Sequence, residues 1–265
     1  MEYRCGGWFT EQAGMRRFRP GWAPTVAVLL MLPLMVSLGF WQLDRAEEKR
    51  ALLQVFAERS AAPPLAAEQL PDIAEPVYRH VRLRGRFDAA HSVLLDNSVR
   101  DGQAGVELIQ PFHDQSSDLW LWVNRGWLPW PDRRQAPAFD TPGDTLNLDG
   151  RIYAPPGSTF HLQPDPASER WPRLLTSLDP PALWRQLQRE GFTYEVRVMP
   201  GPAALRTDWQ VVTMGPEKHV GYAVQWFAMA TVLAGIYLFL GWRRKAVNSK
   251  KENARGRHAD PRRHV

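Results

Sequence analysis

Three residues near the start of an uncharged segment have side chains that could carry chemistry: His219, Tyr222 and Trp226. They lie in the stretch KHVGYAVQWFAMA, and their spacing of i, i+3 and i+7 places them on one stripe of a helix. An imidazole at such a position can anchor a helix at a membrane surface, take up a proton or ligate the iron of a haem. The three residues alone leave these alternatives open.

Two uncharged runs must position these side chains. The runs cover residues 22–43 and 220–242, which are 22 and 23 residues long. At about 1.5 Å per residue, a helix of either length crosses a hydrocarbon core of about 30 Å. The first run is longer than the apolar part of a signal peptide and has no small-residue cleavage site after it. We therefore interpret both runs as transmembrane helices.

The charges on the two tails predict the orientation of these helices. Residues 1–21 carry a net charge of +2 and residues 243–265 a net charge of +7, whereas the whole chain carries +5. Positive flanking segments stay in the cytoplasm, so both termini are expected there and residues 44–219 on the outer face. Residues 1–21 contain two acids and no serine, which argues against a mitochondrial transit peptide. We expect a multi-pass protein of the bacterial inner membrane with a periplasmic domain.

The composition excludes several classes of function. The basic excess lies in the tails beside the membrane, where anionic lipid rather than nucleic acid is the expected partner. Cys5 is the only cysteine and lies in the N-terminal tail, so the outer segment has no disulfide and no thiolate chemistry. Cofactor and nucleophile motifs are absent from the sequence, which predicts that the protein is not an enzyme. The scattered histidines of the outer segment are interpreted as structural or surface residues: His80, His91, His113 and His161.

The outer segment reads as a β-rich domain. The first helix is expected to continue until Pro63 and Pro64 stop it. Alternating apolar residues then predict strands, of which LWLWVNRGW has tryptophans on one face and is expected to be covered on both faces. The other predicted elements are strands in VYRHVRLRGRF, SVLLDN, GVELIQPF, TLNLDGRIYAP and residues 191–199 and 208–212, a short helix over 181–189 and a loop over 163–172. The predicted fold is a mostly antiparallel, β-rich α+β domain, either a sandwich or a partly open barrel, flanked by two transmembrane helices.

The outer ends of the two spans lie at similar depth, so Trp41 and Arg45 are expected near His219. Gly39 and Ala230 offer small surfaces for close helix packing. A porphyrin at this interface would have His219 on its iron, Trp41, Tyr222 and Trp226 against its rings and Arg45 towards its propionates. The alternative is that these residues only anchor the helices, because aromatic and long basic side chains gather at membrane interfaces without any ligand.

Three separated segments carry a resemblance to a known family: LGFWQLDRAEEK at the end of the first span, NRGW in the outer segment and HVGYAVQWF at the start of the second span. Together with the layout of the chain, they resemble the surfeit locus protein one family. The resemblance implies an assembly factor for haem-copper cytochrome c oxidase that assists insertion of haem a into subunit I. It also implies transient binding of haem a through the histidine that matches His219, and haem A synthase as a further candidate partner.

Two alternative hypotheses assume the same arrangement of helices and outer domain but no haem binding. One is a membrane-tethered scaffold of the same family that never contacts haem, and the other is an outer sensor or carrier domain for another small molecule. Arg125 of the NRGW segment could contact the oxidase or form a structural ion pair, and we favour the structural role. The sequence gives neither the oligomeric state nor the type of oxidase served.

Overall fold

The computed structural model of the protein describes residues 21–155 and 170–256. Contacts between Cα atoms divide the chain into two compact units. A helical unit contains residues 1–51 and 214–265, and a sheet unit contains residues 52–213.

The helical unit is built from parts of two long helices, α1 (Trp22–Ala61) and α3 (Pro216–Gly256). Trp22–Ala61 and Pro216–Trp242 are long and apolar enough to cross a membrane, and few residues of their apolar stretches are buried. Helix α1 ends just before Pro63 and Pro64, as predicted, because proline removes a helical hydrogen bond. Two candidate membrane helices at the ends of a β-rich segment confirm the predicted fold class.

The described residues of the sheet unit form one mixed sheet of eight strands. The strands are β1 (Leu65–Ala66), β2 (His80–Phe87), β3 (Val93–Arg100), β4 (Gln103–Asp114), β5 (Trp120–Pro129), β6 (Leu146–Tyr153), β7 (Arg173–Leu175) and β8 (Glu195–Val198). Five of them close into a ring in the order β2-β6-β8-β5-β4, because β4 also pairs with β2. Among these strands, the parallel pairings are β1–β2, β3–β7 and β5–β8, so the sheet is mostly antiparallel, as predicted. Of the two predicted alternatives, a sandwich and a partly open barrel, the closed ring corresponds to the barrel.

Apolar side chains fill the sheet unit on both faces of β5. Leu121 and Val123 belong to the largest buried cluster, to which β2, β4, β6 and β8 also contribute. Trp122 faces the opposite way and stacks on Trp184 of helix α2 (Pro180–Gln186), with ring centroids 4.8 Å apart. The expectation that this tryptophan-rich strand is covered on both faces is therefore confirmed.

The turn between β4 and β5 is organised by a buried carboxylate. Asp114 accepts hydrogen bonds from the Arg84 amide at 2.7 Å and from the backbone and hydroxyl groups of Ser116 and Ser117. Burial alone would raise the pKa of Asp114, but these hydrogen bonds together hold it below its ordinary value. Asp118 pairs instead with His113, at 2.7 Å. Both acids therefore serve the turn, and no cluster suited to a metal ion occurs among the described residues.

The predicted strand over residues 208–212 was wrong. An isolated β-bridge joins Arg206 to Trp127, and residues 207–212 after it form no strand. The side chain of Trp209 takes over the anchoring role, since its indole NH donates to the Val198 carbonyl at 2.8 Å. The two- and three-residue strands β1 and β7 were missed because so few residues show no alternation. His161 and most of the predicted loop over 163–172 lie outside the described residues.

Gly85 is the residue at which the ring of strands closes. It is paired with Leu146 on one side and with Asp114 on the other, and an added Cβ atom would overlap the carbonyl oxygen of His113. We predict that Gly85→Ala lowers the free energy of unfolding by about 1–3 kcal/mol, because the β2–β4 backbones must separate. Thermal unfolding followed by circular dichroism measures the effect.

Gly143→Ala is the matched control, since its Cβ would meet no atom within 4 Å. It should leave the unfolding midpoint unchanged. Equal midpoints for Gly85→Ala and the wild type would contradict the proposed role of the close β2–β4 approach.

Candidate functional site

The end of the apolar part of α1 and the first turn of α3 meet through a polar contact. His219 lies in the first turn of α3, and its Nδ1 is 2.8 Å from the Oε1 atom of Gln42 in α1. An amide oxygen can only accept, so Nδ1 carries the proton and donates it to this bond. The lone pair of the neutral ring then lies on Nε2, the nitrogen that remains available to a metal or a proton.

Below this contact the helices pack closely. An added Cβ atom at Gly39 would lie 2.5 Å from the ring of Phe227, so any other residue would have to displace that ring. Phe40 meets the same ring edge-on at 5.3 Å. On α3, Ala223 and Ala230 are buried. The expected close contact at Gly39 is therefore present, although Gly39 receives an aromatic ring rather than a small residue, and Ala230 is buried.

Trp41 and Arg45 form a pair on α1. The guanidinium of Arg45 lies over the indole ring at 5.7 Å from its centroid and donates to Glu48 at 2.6 Å. Both partners of this ion pair are about half exposed, so the pair contributes little and can exchange with another anion. Among the described residues, neither Trp41 nor Arg45 forms a hydrogen bond or ring contact with His219.

The predicted stripe on α3 lies at the edge of the helix contact. Tyr222 is 45% exposed and Trp226 is half-buried, whereas the neighbouring residues Ala223 and Phe227 face α1. Of the five residues expected to form a site, the structure thus joins His219 to α1 and leaves Trp41 and Tyr222 about half exposed.

Sequence reasoning missed the two direct partners in this region. Gln42 and Phe227 both lie inside the quoted segments LGFWQLDRAEEK and HVGYAVQWF, but neither was given a role. A signal for Gln42 was present, because it is a polar residue at the end of an apolar run and at the depth expected for His219. Nothing in the spacing indicated that Phe227 would pack on glycine.

The NRGW segment has a structural role in the sheet unit. The pairing of β4 with β5 shifts by one residue between Leu108 and Ile109, which makes Arg125 the extra residue of a β-bulge. Its side chain is 3% exposed and donates to the carbonyls of Ala203 and Asp140, each at 2.7 Å, and to Gln110 at 2.9 Å. Burial lowers the pKa of Arg125, and the Asp140 carboxylate opposes that shift. These contacts agree with the predicted structural role of Arg125, but backbone carbonyls take the place of the carboxylate expected in an ion pair.

Asn124 holds two carboxylates in the same region. Its side-chain amide donates to Glu107 at 2.7 Å and to Glu195 at 2.8 Å. Arg197 donates to Glu195 at 2.9 Å, and Arg100 donates to Glu107 at 3.2 Å. Burial, together with the nearby Glu107, raises the pKa of Glu195, while Arg197 and Asn124 oppose the shift. Two facing carboxylates can serve acid–base catalysis, but these are fixed by amide and guanidinium donors, which is typical of a structural cluster.

The close approach at Gly39 yields a direct test of the helix pair. In a Cys5→Ser background, Gln42→Cys and His219→Cys place two thiols on side chains that are in contact. A short bismaleimide should link them efficiently, and adding Gly39→Leu should reduce linking to the level of random collision, because the new side chain displaces Phe227. The backbone is then cleaved between the two helices. The fraction of chain that still migrates as full-length protein on a denaturing gel measures the cross-linking yield.

Gly235→Leu is the matched control in α3, since a Cβ there meets no atom within 4 Å. Its cross-linking should equal that of the parent. Equal yields with Gly39→Leu would show that the glycine does not determine the helix contact.

Comparison with known proteins identifies relatives along most of the chain. The SURF1 family model matches residues 29–231. Surfeit locus protein 1 of Xenopus tropicalis is 29% identical over 119 residues, covering 38% of this chain and 39% of the relative. The SURF1-like protein of Rickettsia felis is 30% identical over 104 residues, covering 38% and 45% of the two chains. A SURF1-like protein of Monosiga brevicollis is 24% identical over 239 residues, covering 83% and 88%.

The Xenopus and Rickettsia matches span less than half of either relative, whereas the family model extends from α1 across the sheet unit and into α3. That extent includes Gln42 and His219 as well as the NRGW segment. The chain belongs to the SURF1 family.

Proposed function

We propose that the protein is an assembly factor for haem-copper cytochrome c oxidase and that it holds haem a transiently at the outer ends of α1 and α3. Membership of the SURF1 family supports the assembly role. The single observation that carries the haem-binding part is the contact between His219 and Gln42. In this role the protein binds and passes on a cargo and does not catalyse a reaction.

The residues of the helical unit fit haem as a cargo. Histidines that ligate metals almost always donate their other ring NH to an acceptor, which fixes the ring and raises its basicity as a ligand. Gln42 provides such an acceptor for His219 Nδ1, so Nε2 is the nitrogen that would meet the iron. Arg45 has only an exposed partner, Glu48, and can turn to a propionate without leaving a buried charge unpaired.

The exposure of the aromatic residues supports transient rather than permanent binding. Trp41 is 48% exposed and Tyr222 is 45% exposed, so both rings have free surface that could contact a porphyrin. A molecule bound at such exposed rings can leave towards a partner without unfolding of the helix pair. We propose oxidase subunit I as the acceptor of haem a and haem A synthase as the candidate donor.

The proposed location is the bacterial inner membrane, with both termini in the cytoplasm and the sheet unit in the periplasm. The two apolar helices support membrane insertion. The basic tails support the orientation, since the net charges of residues 1–21 and 243–265 are +2 and +7. Haem loading of an oxidase from the periplasmic side would then use the outer ends of both helices.

An absorption spectrum separates this proposal from a scaffold that binds no haem. The full chain is purified in mild detergent from a host that makes haem A. We expect a Soret band in the wild type and its loss in His219→Ala, because the iron loses its ligand. His113→Ala, a half-buried histidine of the sheet unit, should keep the band.

Gln42→Ala is a more sensitive variant of the same test. Loss of the hydrogen bond to His219 should weaken haem affinity by about 10-fold or more, measured by titration with haem. Absence of haem from the wild-type protein, or a band unchanged in His219→Ala, would reject haem binding. In a deletion strain, restoration of oxidase haem content by His219→Ala would support the scaffold, and normal oxidase haem content without any plasmid would favour the sensor or carrier.

A further inference from the structure

Arg151 of the sheet unit carries a positive charge that no carboxylate balances. Its guanidinium donates to His80 Nε2 at 2.9 Å and lies 4.6 Å from the centroid of the Phe56 ring. Its Nε atom is buried and has no hydrogen-bond partner. Among the residues that the structure describes, no carboxylate forms an ion pair with it. Burial accordingly lowers the pKa of Arg151.

Two other arginines show how the same domain satisfies a guanidinium. Arg125 donates to two backbone carbonyls and to Gln110, and Arg197 donates to Glu195. Arg151 has neither kind of environment. The imidazole of His80 must be neutral, because its Nε2 atom accepts the hydrogen bond from Arg151. The carboxylate of Asp149 opposes the lowering of the His80 pKa, but it pairs with Arg82 at 3.3 Å on the surface.

Arg151 lines a small cavity rich in donors. The cavity has a volume of about 20 Å³, and a second guanidinium, Arg197, also borders it. Tyr78 and Tyr153 line the same space, and neither hydroxyl forms a hydrogen bond within the described part of the chain. Phe56 and Trp209 complete the aromatic wall. Arg197 is already paired with Glu195, and the indole of Trp209 donates to Val198, whereas Arg151 Nε is buried and has no acceptor. A buried donor without an acceptor beside a cavity is where an anion is expected to bind.

We infer that this cavity binds the carboxylate group of a small apolar molecule. A volume of about 20 Å³ takes roughly one water-sized group, so one carboxylate oxygen enters and the apolar body remains against the aromatic wall. A carboxylate neutralises Arg151 with a single charge and is planar, whereas a phosphate needs a wider space. This site is separate from the His219 region and goes beyond the proposed handling of haem.

The test uses the full chain in detergent and benzoate as the probe, with chloride adjusted to constant ionic strength. We expect a saturable increase of the unfolding midpoint with benzoate and a matching dissociation constant from isothermal titration calorimetry. Arg151→Gln should weaken this binding by at least about tenfold, because a charged hydrogen bond is lost. Arg82→Gln, an exposed arginine of the neighbouring strand β2, is the matched control and should bind as the wild type does.

Two further measurements distinguish a binding site from a purely structural role. Without benzoate, the unfolding midpoint of Arg151→Gln should equal or exceed that of the wild type, because a partly buried charge without a carboxylate partner has been removed. Tyr153→Phe should weaken benzoate binding while the fold stays intact, which provides a readout if Arg151→Gln does not fold. His219→Ala should bind benzoate normally, so failure of the haem proposal leaves this test unaffected.

The inference is overturned if benzoate gives no saturable shift, or if Arg151→Gln and Tyr153→Phe both bind it as the wild type does. Binding of phosphate or chloride as tightly as benzoate would also overturn the assignment to a carboxylate, since it would indicate a general anion site. Hexanoate in place of benzoate tests whether the apolar part of the ligand must be aromatic. We expect comparable binding of both, because the aromatic wall of Phe56 and Trp209 can contact any apolar group.

Discussion

The helical unit depends on the absence of a side chain at Gly39. This glycine lets the ring of Phe227 approach the backbone of α1, and the contact lies beneath the hydrogen bond between Gln42 and His219. In a membrane, helices gain little from burying apolar surface against each other, so close van der Waals packing at small residues largely determines whether they associate. The orientation of the imidazole therefore depends on a packing contact about one turn away on α1 and about two turns away on α3.

The sheet unit is stabilised in a different way, by closing its ring of strands and satisfying the polar groups inside it. The pairing of β2 with β4 removes an open edge from the central sheet. The bulge at Arg125 then turns a charged side chain towards fixed carbonyl oxygens. Five buried side-chain atoms of the described part of this unit have no hydrogen-bond partner, and one of them, Arg151 Nε, belongs to a residue that lines the cavity described above.

The sequence predicted the features that repeat over many residues and missed those that depend on a single contact. Long apolar runs and strict alternation gave both helices and the main strands, since these patterns extend over whole elements. The role of Phe227 was not predictable, because a glycine 188 positions earlier in the chain provides its contact. Residues 208–212 alternate as a strand does, yet the indole of Trp209 bonds to Val198 and no ladder forms. The family resemblance indicated His219, but only the structure identified Gln42 as its partner.

The cluster around Asn124 has a consequence for how this domain can change during evolution. Glu107 accepts from both Asn124 and Arg100, and Glu195 accepts from both Asn124 and Arg197. Each replacement alters the environment of at least two charged neighbours, so the effects of substitutions here do not add. Viable sequences are then expected to exchange several members together, and a change that is harmless in one relative becomes damaging when transplanted alone into another.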